Sequence, residues 1–61
     1  MNLQVNIGDT VSVTTEYDIY EGEILDITKD TLTMEYFNGV KDEVREVEIP
    51  LNKIQSIKES I

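Results

Sequence analysis

The sequence predicts an all-β fold, a small barrel of five strands, and three observations carry the prediction. Apolar residues recur with a period of two: Leu32, Met34 and Tyr36 alternate with Thr31, Thr33 and Glu35. Turn residues break the chain at short intervals, at Gly8-Asp9, Lys29-Asp30, Asn38-Gly39 and Pro50. No segment repeats its apolar residues at helical spacing over the length a helix needs. Five strands of ordinary length fill a chain of 61 residues, which reads as one small domain over 1–61.

The first strand is entered from Gly8-Asp9, with Val11 and Val13 on one face and Ser12 and Thr14 on the other. The second runs from Ile19 to Thr28 and contains Gly22, which in a strand interior marks a bulge or bend. Leu25 and Ile27 share its core face; Ile24 lies on the opposite side, so part of this strand is expected to be covered on both faces. Lys29-Asp30 turns the chain into the third strand, whose inward residues are Leu32, Met34 and Tyr36. Asn38-Gly39 is a strong hairpin signal, because both residues tolerate the positive φ of a type I′ turn. A two-residue loop there would set Leu32 against Arg45 and Met34 against Glu43. Pairing Met34 with Val47 and Leu32 with Ile49 restores apolar contact, so the expected loop runs roughly from Phe37 to Val44. The fourth strand, about Arg45 to Ile49, turns Val47 and Ile49 inward and Glu46 and Glu48 outward. Pro50, which has no N–H for the ladder, ends it. Leu51-Asn52-Lys53-Ile54 suits a single 3₁₀ turn, and a short last strand from Gln55 to Lys58 points Ile57 inward. The predicted core is Val11, Val13, Leu25, Ile27, Leu32, Met34, Val47, Ile49, Ile54 and Ile57.

This order, with a bent second strand and a 3₁₀ turn before the fifth, resembles the SH3-like barrel and its Sm-like relatives. The resemblance covers Val11 to Ile57. On the Sm-like side it rests on Gly22-x-Ile24, on Leu32-x-Met34, and on Ile49-Pro50-Leu51-x-x-Ile54 leading into Ile57. It implies a five-stranded SH3-like (Sm-like) barrel and raises the reading of an RNA-binding ring subunit, assembled through exposed edge strands. Asp30 stands where that family has an acid, but Thr33 lies near the place of its Asn, and Asn52-Lys53 lacks its late Gly. The resemblance therefore implies the fold without the uridine site. On the SH3 side, Glu16-Tyr17-Asp18-Ile19-Tyr20-Glu21 lies where that family has an acidic, Tyr-bearing loop. There, aromatics groove a polyproline helix and acids pair with a ligand Arg. The chain has no Trp, which that groove also uses.

Composition narrows the function. With 5 Lys and Arg against 13 Asp and Glu, the net charge is −8. Such a chain repels phosphate backbones and anionic lipid, so nucleic acid and membrane surfaces are disfavoured partners. The absence of Cys and His removes thiol nucleophiles, imidazole bases and the usual zinc ligands. No Gly-rich phosphate loop or nucleophile elbow is present, so the chain reads as a non-enzyme without a cofactor. Asp26, Asp30, Asp42 and Glu43 do not follow the acid spacing of a calcium loop, so no metal site is expected. Met1 to Val5 shows no basic region followed by an apolar run, so no secretory leader is expected; with no Cys, a cytoplasmic protein is the expectation.

One cluster stands out as a candidate partner-binding site: Glu16, Tyr17, Asp18, Tyr20, Glu21 and Glu23. Tyr rings flanked by carboxylates suit an Arg- or Lys-bearing peptide, through cation–π contact and charge-assisted hydrogen bonds. The same residues also read as a solvated rim with one Tyr packed at the barrel mouth. The first-ranked function is a non-catalytic acidic module that binds a basic protein surface or peptide. An acidic nucleic-acid mimic is a further alternative. Lys41, Arg45, Lys53 and Lys58 read as solvated strand-edge charges. Because five cations cannot neutralise thirteen carboxylates, self-repulsion opposes folding. Added sodium chloride is therefore expected to raise the melting temperature of the dilute protein; a flat response in a thermal scan would show that the repulsion is negligible.

Overall fold

A computed structural model describes residues 5–59. The elements are β1 (Thr10–Thr15), β2 (Ile19–Ile27), β3 (Thr31–Asn38), β4 (Glu43–Pro50), a 3₁₀ turn η1 (Leu51–Lys53) and β5 (Ile54–Glu59). All pairings are antiparallel, in the order β4-β3-β2-β1-β5. Four strands form a meander, and η1 carries the chain back so that the fifth pairs with the first. The described residues contain no α-helix, hence none that is long and apolar enough to cross a membrane. The sheet's edges, β4 and β5, are not joined by a ladder, so the expected barrel is seen here as one open sheet.

That sheet curls over its own face. Val11, Val13, Ile24, Leu32 and Met34 have no exposed area, although no second layer covers them. The smallest principal extent is 19 Å, about twice the ~10 Å that separates two packed sheets, so the inner face is folded back on itself. Cross-strand rows build the core: Ile27, Leu32 and Ile49; Ile24, Met34 and Val47; Ile57, Val13 and Tyr20. Ile49 and Ile54 complete the buried set, with Val5, Tyr20, Ile27, Val47, Leu51 and Ile57 packed around it.

The β3–β4 register is the apolar one expected, with Met34 opposite Val47 and Leu32 opposite Ile49. Its loop is shorter than expected, because pairing continues through Phe37 and Val44 to Asn38 and Glu43. Asn38 also does not form a type I′ turn. Its Oδ1 accepts from the N–H groups of Val40 and Lys41, and the positive φ falls on Asp42, at 52°. The side-chain amide thus replaces the backbone geometry that a two-residue turn would have required.

The second strand corrects two expectations. Ile24, not Leu25, is buried; Leu25 is the extra residue of a bulge, between Ile24 opposite Met34 and Asp26 opposite Thr33. One inserted residue switches the side-chain alternation, so Ile24 and Ile27, three apart, both face inward. The same device occurs at Gln55, between Ile57 opposite Val13 and Ile54 opposite Thr15, and it turns Ile54 and Ile57 to one side. Gly22 is not the bulge. It sits where β2 and β3 approach so closely that a Cβ would lie 1.7 Å from the Glu35 carbonyl oxygen.

The N-terminal segment anchors this bend. The Gly8 N–H donates to the Ile24 carbonyl at 2.8 Å, and the Ile24 N–H donates to the Asp9 carbonyl at 2.9 Å. Gly8 takes φ 96°, a conformation that other residues rarely adopt. At the opposite turn, Thr28 Oγ1 accepts from the N–H groups of Asp30 and Thr31, which closes the Lys29-Asp30 connection.

Replacing Ile24 by Ala is expected to cost about 2–5 kcal/mol, while Leu25→Ala costs about 1 kcal/mol, because only Ile24 leaves a core cavity. Gly22→Ala should destabilise by at least the ~1–3 kcal/mol of an overpacked site. Urea unfolding of the three variants checks this order, and equal losses for Ile24→Ala and Leu25→Ala would show that the bulge is misplaced.

A candidate interaction groove

The six residues of the sequence cluster separate into two groups in space. Tyr20 is in phase with Gly22 and Ile24 on the inner side of β2, whereas Glu21 and Glu23 are exposed on the outer face. Glu23 there stands opposite Glu35, which stands opposite Glu46, so three carboxylates form one row across three strands. Neighbouring like charges of this kind oppose the pairing that brings them together. They do not converge as ligands: no group of three or more acids suited to a metal ion occurs among the described residues.

Glu16, Tyr17 and Asp18 form the turn between β1 and β2. Thr15 Oγ1 accepts from the N–H groups of Tyr17 and Asp18 and lies 3.1 Å from the Asp18 carbonyl, to which its hydroxyl donates. Asp18 Oδ1 accepts from the Ile19 N–H at 2.9 Å. Asp18 is thereby engaged in holding the turn, while the Tyr17 ring stands 87% exposed.

Beneath this turn lies an open groove of about 200 Å³. Thr15, Glu16 and Tyr17 form one side, Val47 to Pro50 at the end of β4 form the other, and Tyr20 and Lys53 complete it. The groove follows from the open sheet: it lies along the free edge of β4, facing the end of β1. Glu16 is exposed on the turn, whereas on the β4 side Val47 and Ile49 face inward and Glu48 shares the outward phase of Glu46. The sequence brings Glu16, Tyr17 and Tyr20 to attention through their local acidic, aromatic pattern. It does not reveal the β4 wall, because Glu48 and Pro50 are more than twenty-five residues away and each already has a structural reading.

The Tyr20 ring meets Tyr36 edge to face, with centroids 5.1 Å apart at 71°. Gly22 lies directly opposite Tyr36 on the adjacent strand, and the place of its missing Cβ is taken by the β3 backbone at Glu35 and Tyr36. Burial raises the Tyr20 pKa above the ordinary 10.0, and the Asp18 carboxylate and then Tyr36 add to the effect.

The chain was compared with protein-family models and with curated proteins, and neither comparison gave a match. The candidate site therefore stands on its geometry.

The Tyr20 environment has a pH consequence. The folded protein retains a phenolic proton that the unfolded chain releases near pH 10.0, so this contribution is intact below that pH and is lost as pH rises through the folded-state value. Urea midpoints measured between about pH 8 and pH 11 are expected to fall more steeply for wild type than for Tyr20→Phe. Identical slopes would place the alkaline loss elsewhere.

Proposed function

We propose that this chain is a non-catalytic interaction module that receives an extended, basic and apolar segment of a partner protein in the groove between the β1–β2 turn and β4. The observation that carries the reading is the composition of the groove. Two Tyr side chains and the apolar run of Val47, Ile49 and Pro50 make a floor for apolar or aliphatic contact. The Glu16 carboxylate stands on the turn beside that floor, where it meets a guanidinium or ammonium group of the ligand. The order β4-β3-β2-β1-β5, with η1 before the last strand, supports placing the fold among SH3-like and Sm-like small barrels. The acidic row on the outer face weighs against a phosphate backbone as the ligand.

The groove residues differ from the sequence cluster in a way that can be tested. Chemical-shift mapping with short apolar peptides bearing one Arg should perturb Tyr17, Tyr20, Glu48 and Lys53. Glu16→Gln is expected to weaken such a peptide about twofold to fivefold, as expected for one exposed ion pair. Glu21→Gln/Glu23→Gln should leave the affinity unchanged, since those side chains face the other way. Equal loss in both variants would mean that binding follows overall charge and not the groove.

A further inference from the structure

The outer face of the sheet has no partner in the fold, and it is divided into two zones that the groove does not use. Register places Glu21, Glu23, Asp26, Glu35, Glu46 and Glu48 in its phase, all of them exposed. Among the described strand residues Lys58, opposite Ser12, is the one cation that shares this phase. Phe37 and Val44 share it too. They stand directly opposite each other and are 59% and 58% exposed. The Glu35–Glu46 pair lies two residues along from them, and Glu48 two residues further. Successive rows are therefore about 7 Å apart at the usual strand rise. An apolar row bordered by charge has the make-up of a docking surface, and the carboxylate row beside it opposes the strand pairing that creates it.

We propose that this face receives a basic amphipathic helix of a partner protein, laid along β3 and β4. Its apolar side chains meet Phe37 and Val44, and its Lys or Arg side chains lie over Glu35 and Glu46 and then Glu48. Charge selects this occupant. Phosphates of nucleic acid or lipid are repelled by the same carboxylates, and a second copy presents an outer face of like sign. Backbone chemistry selects the helix. A strand laid flat on this face would find no backbone partner for its own N–H and C=O groups, since those of β3 are already paired on both sides within the sheet. A helix satisfies its own, and its side chains at every fourth residue recur about every 6 Å, close to the spacing of the rows. The inference does not rest on the groove reading, because the groove is entered beside the β1–β2 turn and takes an extended segment.

The probe is a stapled helical peptide with Leu at one position and Arg at the fourth and eighth residues beyond it. One control carries Glu at both Arg positions and another carries Ser in place of Leu. Titrated into isotopically labelled protein, the Arg peptide should shift the amide signals of Glu35, Phe37, Val44 and Glu46 and leave those of Tyr17 and Tyr20 in place. Both controls should bind more weakly. Glu35→Gln/Glu46→Gln is expected to weaken the peptide about threefold to tenfold, as for two exposed ion pairs. The same variant should melt higher than wild type, because it relieves the repulsive row. Phe37→Thr/Val44→Thr keeps residues suited to strands and should keep the wild-type circular dichroism while losing the peptide. Unmoved outer-face signals, or equal binding of the Glu-bearing control, overturn the inference. Shifts confined to Tyr17 and Tyr20 overturn it as well, and they leave the groove reading standing. Should the outer face respond to the helix while the extended Arg-bearing peptide fails to bind, the groove reading fails and this one holds.

Discussion

A single sheet with no second layer has to supply both walls of its own core, and the other features of this protein follow from that constraint. Burial of Val11, Val13, Ile24, Leu32 and Met34 requires the strands to bend sharply enough for one face to meet itself. Straight strands with strict alternation cannot do this. The chain bends with two bulges, at Leu25 and Gln55, and with one residue lacking a side chain, Gly22, where β2 passes closest to β3. Each bulge increases local twist and re-aims the side chains beyond it. The spacing of three between Ile24 and Ile27, and again between Ile54 and Ile57, is the trace of that device in the sequence.

Bending gives the two faces opposite characters. The inner face is apolar and small; the outer face has the area to carry charge, and it carries carboxylates in register across β2, β3 and β4. Repulsion along such a row is a fraction of a kcal/mol per pair, which is significant in a domain whose total stability is a few kcal/mol. The acids also blunt β4, whose free edge would otherwise offer a strand for pairing. Stability is given up on the outer face, and in return acidic faces do not stack.

The groove is the place where the curling stops. Because β4 and β5 do not pair, the end of β4 stands apart from the β1–β2 turn, and Val47 and Pro50 keep an open side. The turn's position is fixed locally by Thr15 and Asp18, which satisfy the backbone there and leave Glu16 and Tyr17 unencumbered. The result is a turn braced by side-chain hydrogen bonds above an open, largely apolar gap.

The sequence by itself determined the strand number, the 3₁₀ turn, the β3–β4 register and most of the core. These depend on side-chain alternation and on turn chemistry, which are local. Leu32, Met34, Val47 and Ile49 could pair in only one way that kept charges out of the interior, so the register was readable without coordinates. Tertiary structure alone decided the parity of β2, since the run Ile24-Leu25-Asp26-Ile27 suits either a regular strand with Leu25 and Ile27 inward or a bulged one with Ile24 and Ile27 inward, and only the bend selects between them; Leu25 and Ile24 exchanged roles for that reason. It also divided the acidic, aromatic cluster, placing Tyr17 and Tyr20 by the groove and Glu21 and Glu23 on the far face, because adjacent residues of a strand point in opposite directions. And it brought Glu48 and Pro50 across to Glu16, a juxtaposition set by how far one sheet curls, which no stretch of sequence encodes by itself.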